Sequence, residues 1–128
     1  MTHFIDLLAR IFISSVFLVS GYNKIMNYES TISFMEGFGI PGLLLWPTIV
    51  LEIILPILVI IGYKTQIATI LLAIFCIATA VIFHFDFSNQ MQLVALLKNF
   101  GLAGGFLLIA LNGPKQFSMD RKKKYVRL

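Results

Sequence analysis

The chain has 128 residues, of which 59% are hydrophobic and only 12% charged, and its mean hydropathy is +0.91. A soluble domain of this size leaves roughly a third of its unfolded surface in water, so it could not hide so much apolar side chain. The same numbers exclude intrinsic disorder, and a single cysteine, Cys76, excludes a disulfide scaffold. An integral membrane protein of one domain remains.

The net charge of +4 is unevenly spread. From Lys115 to Leu128 there are six Lys/Arg and one Asp, against four Lys/Arg and five Asp/Glu in the rest. Nucleic acid recognition needs a basic face on a folded domain, and no such face exists here. The segment 113–128 reads as a basic cytoplasmic tail lying against anionic lipid, or as a topology signal alone.

Four apolar stretches follow in chain order: 4–22, 42–61, 67–85 and 93–111. Each is close to the roughly 20 residues that cross 30 Å of hydrocarbon. All are expected to be helical, making residues 1–112 a four-helix transmembrane bundle. No basic region precedes Phe4 and no small-residue cleavage site follows it, so the first stretch reads as a retained span. The short second and third links make successive spans antiparallel. In the first link, Ile32, Met35 and Phe38 share one helical face and Glu29, Ser33 and Glu36 the other. That pattern predicts a short amphipathic interfacial helix, either a lid over the bundle mouth or a plain connection. Lys64 and the basic tail fall on one side of the membrane and Lys24 on the other, which places both termini in the cytoplasm.

Charges within spans are costly and mark packing or function. Three stand out: Arg10, Glu52 and Lys98. Counted from the ends of their spans opposite the termini, here the distal ends, at about 1.5 Å per residue, Arg10 and Glu52 lie roughly 18 and 15 Å deep and Lys98 roughly 8 Å. The match in depth predicts an Arg10–Glu52 ion pair. Arg10, Ser14, Phe17, Gly21 and Lys24 form one stripe of the first span, and Lys98, Gly101, Gly105, Leu108 and Asn112 one stripe of the fourth. Gly101 and Gly105 permit close helix packing or leave space beneath Lys98 for an anionic or carbonyl-bearing ligand. His84 and Asn99 join Lys24 at the distal mouth, where His84 is either a titrating group or an interfacial one. No paired cysteines and no metal-ligand spacing appear in the sequence, so metal binding is not expected and any redox electrons must come through a ligand or partner.

Arg10 with Phe17-Leu-Val-Ser-Gly-Tyr-Asn-Lys24, Glu52, Gly62, His84 and Leu97-Lys98-Asn99-Phe-Gly-Leu-Ala-Gly-Gly105 together resemble the DoxX family of small bacterial membrane proteins. The resemblance spans the chain up to about Asn112 and implies a four-helix bundle in the bacterial inner membrane. It also implies a loose link to redox and thiol-stress systems, with no defined reaction. On it, Arg10, Lys24, Glu52, His84, Lys98 and Asn99 are the candidate ligand-binding residues. The expected role is a binding or accessory subunit, holding a small apolar ligand such as a quinone or docking a partner oxidoreductase. No intrinsic cofactor is implied, and an oxidoreductase subunit is the most enzymatic reading. A proton or small-solute transporter using Glu52 is the alternative; a homo-oligomer is left open.

Overall fold

Hydrocarbon offers a backbone amide no partner, so each span must close its own hydrogen bonds as a helix. The computed structural model describes residues 1–114 and 117–120. Five α-helices follow one another: α1 Thr2–Met26, α2 Tyr28–Gly37, α3 Leu45–Ile61, α4 Thr65–Phe83 and α5 Gln90–Asn112. A 3-10 turn at Gly42–Leu44 leads into α3. Among the described residues, four helical segments are long and apolar enough to cross a bilayer: Thr2–Met26, Gly42–Ile61, Thr65–Phe83 and Gln90–Asn112. With α2 between the first two, this is the all-α four-span bundle that the sequence predicts. The lipid-anchor reading of the tail falls mainly on residues 121–128, outside the described residues.

The bundle is built as two pairs. α1 lies along α3 and α4 along α5; the pairs meet through α3 and α4, while α1 and α5 touch at few points. Between the pairs, Phe17, Val59, Leu72, Cys76, Ala103 and Phe106 form the buried core. Gly21 sets the α1–α3 spacing: a Cβ there would stand 2.8 Å from Ile53 Cδ1 and 3.3 Å from Glu52 Cβ. The buried residues of α1 are Arg10, Ser14, Phe17 and Gly21, four of the five on the stripe read from the sequence; the fifth, Lys24, is half-buried.

The end of the bundle that carries the N-terminus and the α3–α4 link, here the terminal end, is closed by polar contacts. α3 stops at Gly62, whose φ of +71° is left-handed. Tyr63 N–H donates to Leu58 O at 3.0 Å and Gly62 N–H to Val59 O at 3.2 Å, a Schellman ending. Segment 117–120 then folds back onto this end. Met119 N–H donates to Ile61 O at 3.0 Å and Asp120 N–H to Gly62 O at 2.8 Å. A side chain at Gly62 would collide with Ser118.

Arg10 completes the closure and corrects the expected pairing with Glu52. It is fully buried. Its Nε donates to Asp6 at 2.9 Å, its Nη1 to Val59 O at 3.0 Å and Ile60 O at 2.6 Å, and its Nη2 to Phe117 O at 2.6 Å. Two of these four bonds go to carbonyls at the C-terminal end of α3, where a cation also meets the negative pole of the helix. Glu52 stands about 10 Å further along the same helix, on a rise of about 1.5 Å per residue. The depth count misled because α1 continues to Met26, four residues past the apolar run that ends at Tyr22.

α4 begins without a cap of its own, since Lys64 makes no side-chain bond to the helix start. Asp120 supplies one: its Oδ2 accepts from Thr65 N–H at 2.8 Å and from Thr65 Oγ1 at 2.9 Å. Loss of such a cap costs about 1 kcal/mol. Asp120→Ala should therefore speed amide hydrogen exchange at Thr65 about fivefold; unchanged exchange there would contradict the cap.

Candidate functional site

The second set of charges lies toward the opposite, distal end. Lys24, in the last turn of α1, reaches back to Glu52 on α3, its Nζ standing 3.0 Å from each carboxylate oxygen. Nζ also donates to Ser20 Oγ at 2.7 Å, and Ser20 Oγ donates in turn to Glu52 Oε1 at 3.3 Å. Glu52 is 3% exposed. Its Oε2, though close to the ammonium, accepts no well-aligned hydrogen bond. Both partners belong to the α1–α3 pair, so the charge is neutralised without any group from α4 or α5. Pro56, buried one turn beyond, has no N–H for the Glu52 carbonyl.

Where the α4–α5 pair faces this wall, the helices do not close. A cavity of about 480 Å³ lies between the pairs, within the usual range for small-molecule sites. Phe17 and Phe75 line it, their rings 6.3 Å apart. Ser20, Lys24 and Glu52 border it on one side, Thr79, His84, Asn99 and Leu102 on the other. α2 covers the α3–α4 edge. Its Met35 packs with Leu45 and Ile49, and its Phe34 stacks on Phe83 at 5.5 Å. The amphipathic segment thus sits over the cavity, as a lid would.

Four of the six residues singled out from the sequence, Lys24, Glu52, His84 and Asn99, border this one cavity. Arg10 and Lys98 do not. Arg10 is at the terminal end, and Lys98 is exposed on the outside of α5. Depth along α5 sets Lys98 above a ligand in the sequence reading; in the structure its rotation turns the side chain outward, away from this cavity. The space expected at Gly105 is filled by Ile13, 2.7 Å from where a Cβ would be. His84 Nδ1 is 2.7 Å from Gln92 Oε1. Nearby Asp86 bonds Ser88, whose hydroxyl and amide hold the Asp86 carboxyl below its ordinary range. Sequence reasoning missed Ser20, Thr31, Thr48 and Thr79, all in the lining. Hydroxyls within or next to the apolar runs were the available signal.

Removing one member of a buried ion pair costs about 3–5 kcal/mol, because the other charge is stranded. Lys24→Met should lower the thermal midpoint strongly, and Lys24→Met with Glu52→Gln should recover most of the loss. Arg10→Met should be additive with Glu52→Gln in the same melting series. Coupling of Glu52 to Arg10 instead of Lys24 would contradict the geometry.

The comparisons with known proteins agree with this architecture. The DoxX family profile matches residues 5–85, which takes in α1 to α4 and the Lys24–Glu52 pair. Inner membrane protein YqjF of Escherichia coli (strain K12) is 36% identical over 115 residues, covering 90% of this chain and 88% of that protein. Inner membrane protein YphA of the same organism is 32% identical over 123 residues, covering 91% of this chain and 88% of that protein. No solved structure matches the chain. Four membrane-crossing helices, a family match over most of the chain and two relatives aligned almost end to end identify this integral membrane protein as a member of the DoxX family.

Proposed function

We propose that this protein is a binding subunit of the bacterial inner membrane, and that its distal cavity takes a neutral ring compound bearing hydroxyl groups: the quinol form of a quinone/quinol couple. The donor and acceptor inventory of the lining supports this choice most directly. Thr31 Oγ1 donates to Asn27 O at 2.7 Å, Thr48 Oγ1 to Leu44 O at 2.9 Å and Thr79 Oγ1 to Phe75 O at 2.9 Å. Asn99 Nδ2 donates to Ala95 O at 3.1 Å, and Lys24 is engaged by Ser20 and Glu52. All these donors but one N–H of Asn99 are thus in use, while hydroxyl lone pairs, the Asn99 amide oxygen and Glu52 Oε2 remain as acceptors. With Nδ1 protonated toward Gln92, His84 Nε2 is a further acceptor.

An anionic or carbonyl head meets few donors in such a site. The Lys24–Glu52 pair carries no net charge, and Lys98 lies outside. A ligand that donates finds partners, and its ring finds Phe17, Phe75 and Leu102. A proton or solute route past Glu52 is disfavoured, since the terminal half is filled by Leu72, Ala73, Ala103 and Phe106. The protein would hold the quinol for a partner oxidoreductase. The charge asymmetry supports cytoplasmic termini, with the cavity in the opposite half of the membrane. The names of the Escherichia coli relatives support the inner-membrane location.

The test is titration calorimetry of detergent-purified protein with tetramethylhydroquinone and tetramethylbenzoquinone. A net hydrogen bond contributes about 1 kcal/mol, so two hydroxyl donors should favour the hydroquinone by about tenfold or more. Thr79→Val should narrow the difference. Equal affinity for the two forms, or binding of neither, overturns the proposal.

A further inference from the structure

The cavity is a cleft with two long edges, and they are not alike. Along the α3–α4 edge, α2 lays Thr31, Phe34 and Met35 over the opening, fastened by Phe34 on Phe83. Along the α1–α5 edge, the two helices touch where Ile13 meets Gly105 and separate toward the distal end. At Gly101, one turn further along α5, a Cβ would have nothing within 4 Å. Val16, one turn from Ser20 on α1, lines the cavity and is still 50% exposed. Lining residues that are also exposed mark where the cleft meets the surface: Phe34, Leu44 and Ile82 do so on the side that α2 covers, and Val16 does so on the α1–α5 side. The lining residues at this edge are Val16 and Ser20 on α1 and Asn99 and Leu102 on α5, with Gly101 exposed beside them.

This opening faces the bilayer rather than water. Its flanks are Phe12 at 67% exposure and Val19 at 59% on α1, and Leu97 at 58% on α5. Apolar side chains exposed along a membrane-crossing helix lie in hydrocarbon. The interior beyond the rim offers aromatic walls and hydrogen-bond acceptors. An apolar chain would remain solvated by lipid in the gap while a polar ring sat inside, so neither part would be left in an unfavourable medium.

We infer that the α1–α5 gap is a lateral portal, and that the ligand is a lipid-borne molecule with a compact hydroxyl-bearing head inside the cleft and a long apolar tail leaving between Val16 and Gly101. The inference rests on the binding role proposed above and adds the tail, the route and the residues that form it. The molecule reaches the site from within the membrane and does not need to pass α2. Gly101 serves the portal by having no side chain.

The experiment compares two probes with the same ring: tetramethylhydroquinone, and the analogue in which one methyl is replaced by a decyl chain. Binding to the purified full chain in nanodiscs is measured for wild type, Gly101→Trp, Gly101→Leu, Ala78→Trp on the α4 side of the lining, and Leu108→Trp on the lipid face of α5. Wild type should bind the decyl compound more tightly than the methyl one, because the tail buries further apolar surface. Gly101→Trp should weaken the decyl compound about tenfold or more, the scale of a few methylenes at about 0.8 kcal/mol each. Gly101→Leu should do so by less. Both variants should bind tetramethylhydroquinone as wild type does, which also shows that they are folded. Ala78→Trp, which intrudes on the lining, should weaken both probes alike and Leu108→Trp neither, so both leave tail discrimination intact. Equal loss of both probes in Gly101→Trp, no loss of either, or selective loss in Ala78→Trp instead overturns the portal while the binding role stands. Failure of wild type to bind either probe overturns the binding role, and the portal with it.

Discussion

A charge in hydrocarbon has to be neutralised by the chain that carries it, and this bundle does so twice, with opposite results. Arg10 gives its guanidinium to Asp6 and to the carbonyls of Val59, Ile60 and Phe117. Those bonds join α1, the end of α3 and the chain after α5, so the terminal end is drawn shut. Lys24 and Glu52 satisfy each other within the α1–α3 pair, with Ser20 between them. No polar group there draws α4 and α5 inward, and the distal half remains parted.

The parted half has a chemical character that follows from its secondary structure. Hydroxyls on membrane helices donate to carbonyls one turn back, as Thr48 and Thr79 do, because no water is present to receive them. The same bonds leave lone pairs turned outward from the helix. A gap between such helices therefore offers acceptors by default. Donors would require a free Lys, Arg or amide; Lys24 is already engaged, and one N–H of Asn99 is what remains. The aromatic residues Phe17 and Phe75 give the gap an apolar wall. Phe34, Phe38 and Phe83 form an aromatic cluster that ties α2 to the end of α4.

Much of this was legible in the sequence, and what was not has identifiable causes. The four spans, the helix at Tyr28–Gly37 and the buried stripe of α1 follow from hydropathy and helical period. The placing of polar groups in one half also followed from depth. The choice of partner for Glu52 did not. Apolar runs mark where side chains are greasy, not where a helix ends, so hydropathy closes the first span at Tyr22 although α1 carries Lys24 on inside the bundle. Two cations were then within reach of one carboxylate, and only the closeness of α1 to α3 at Gly21 decides between them. The Asp120 cap on Thr65 joins residues 55 apart in sequence, and no local pattern announces such a contact. Lys98 shows the converse: its depth was readable, but its direction depended on how α5 turns against α4.

The most direct measurement of the account is photolabelling in native membranes with an aryl-azide derivative of trimethylhydroquinone, followed by peptide mapping. The account predicts adducts on the distal stretches of α1, α4 and α5, around Phe17, Thr79 and Leu102, suppressed by excess tetramethylhydroquinone. Adducts confined to the terminal end near Arg10 and Asp120, or labelling that the competitor does not reduce, would contradict it.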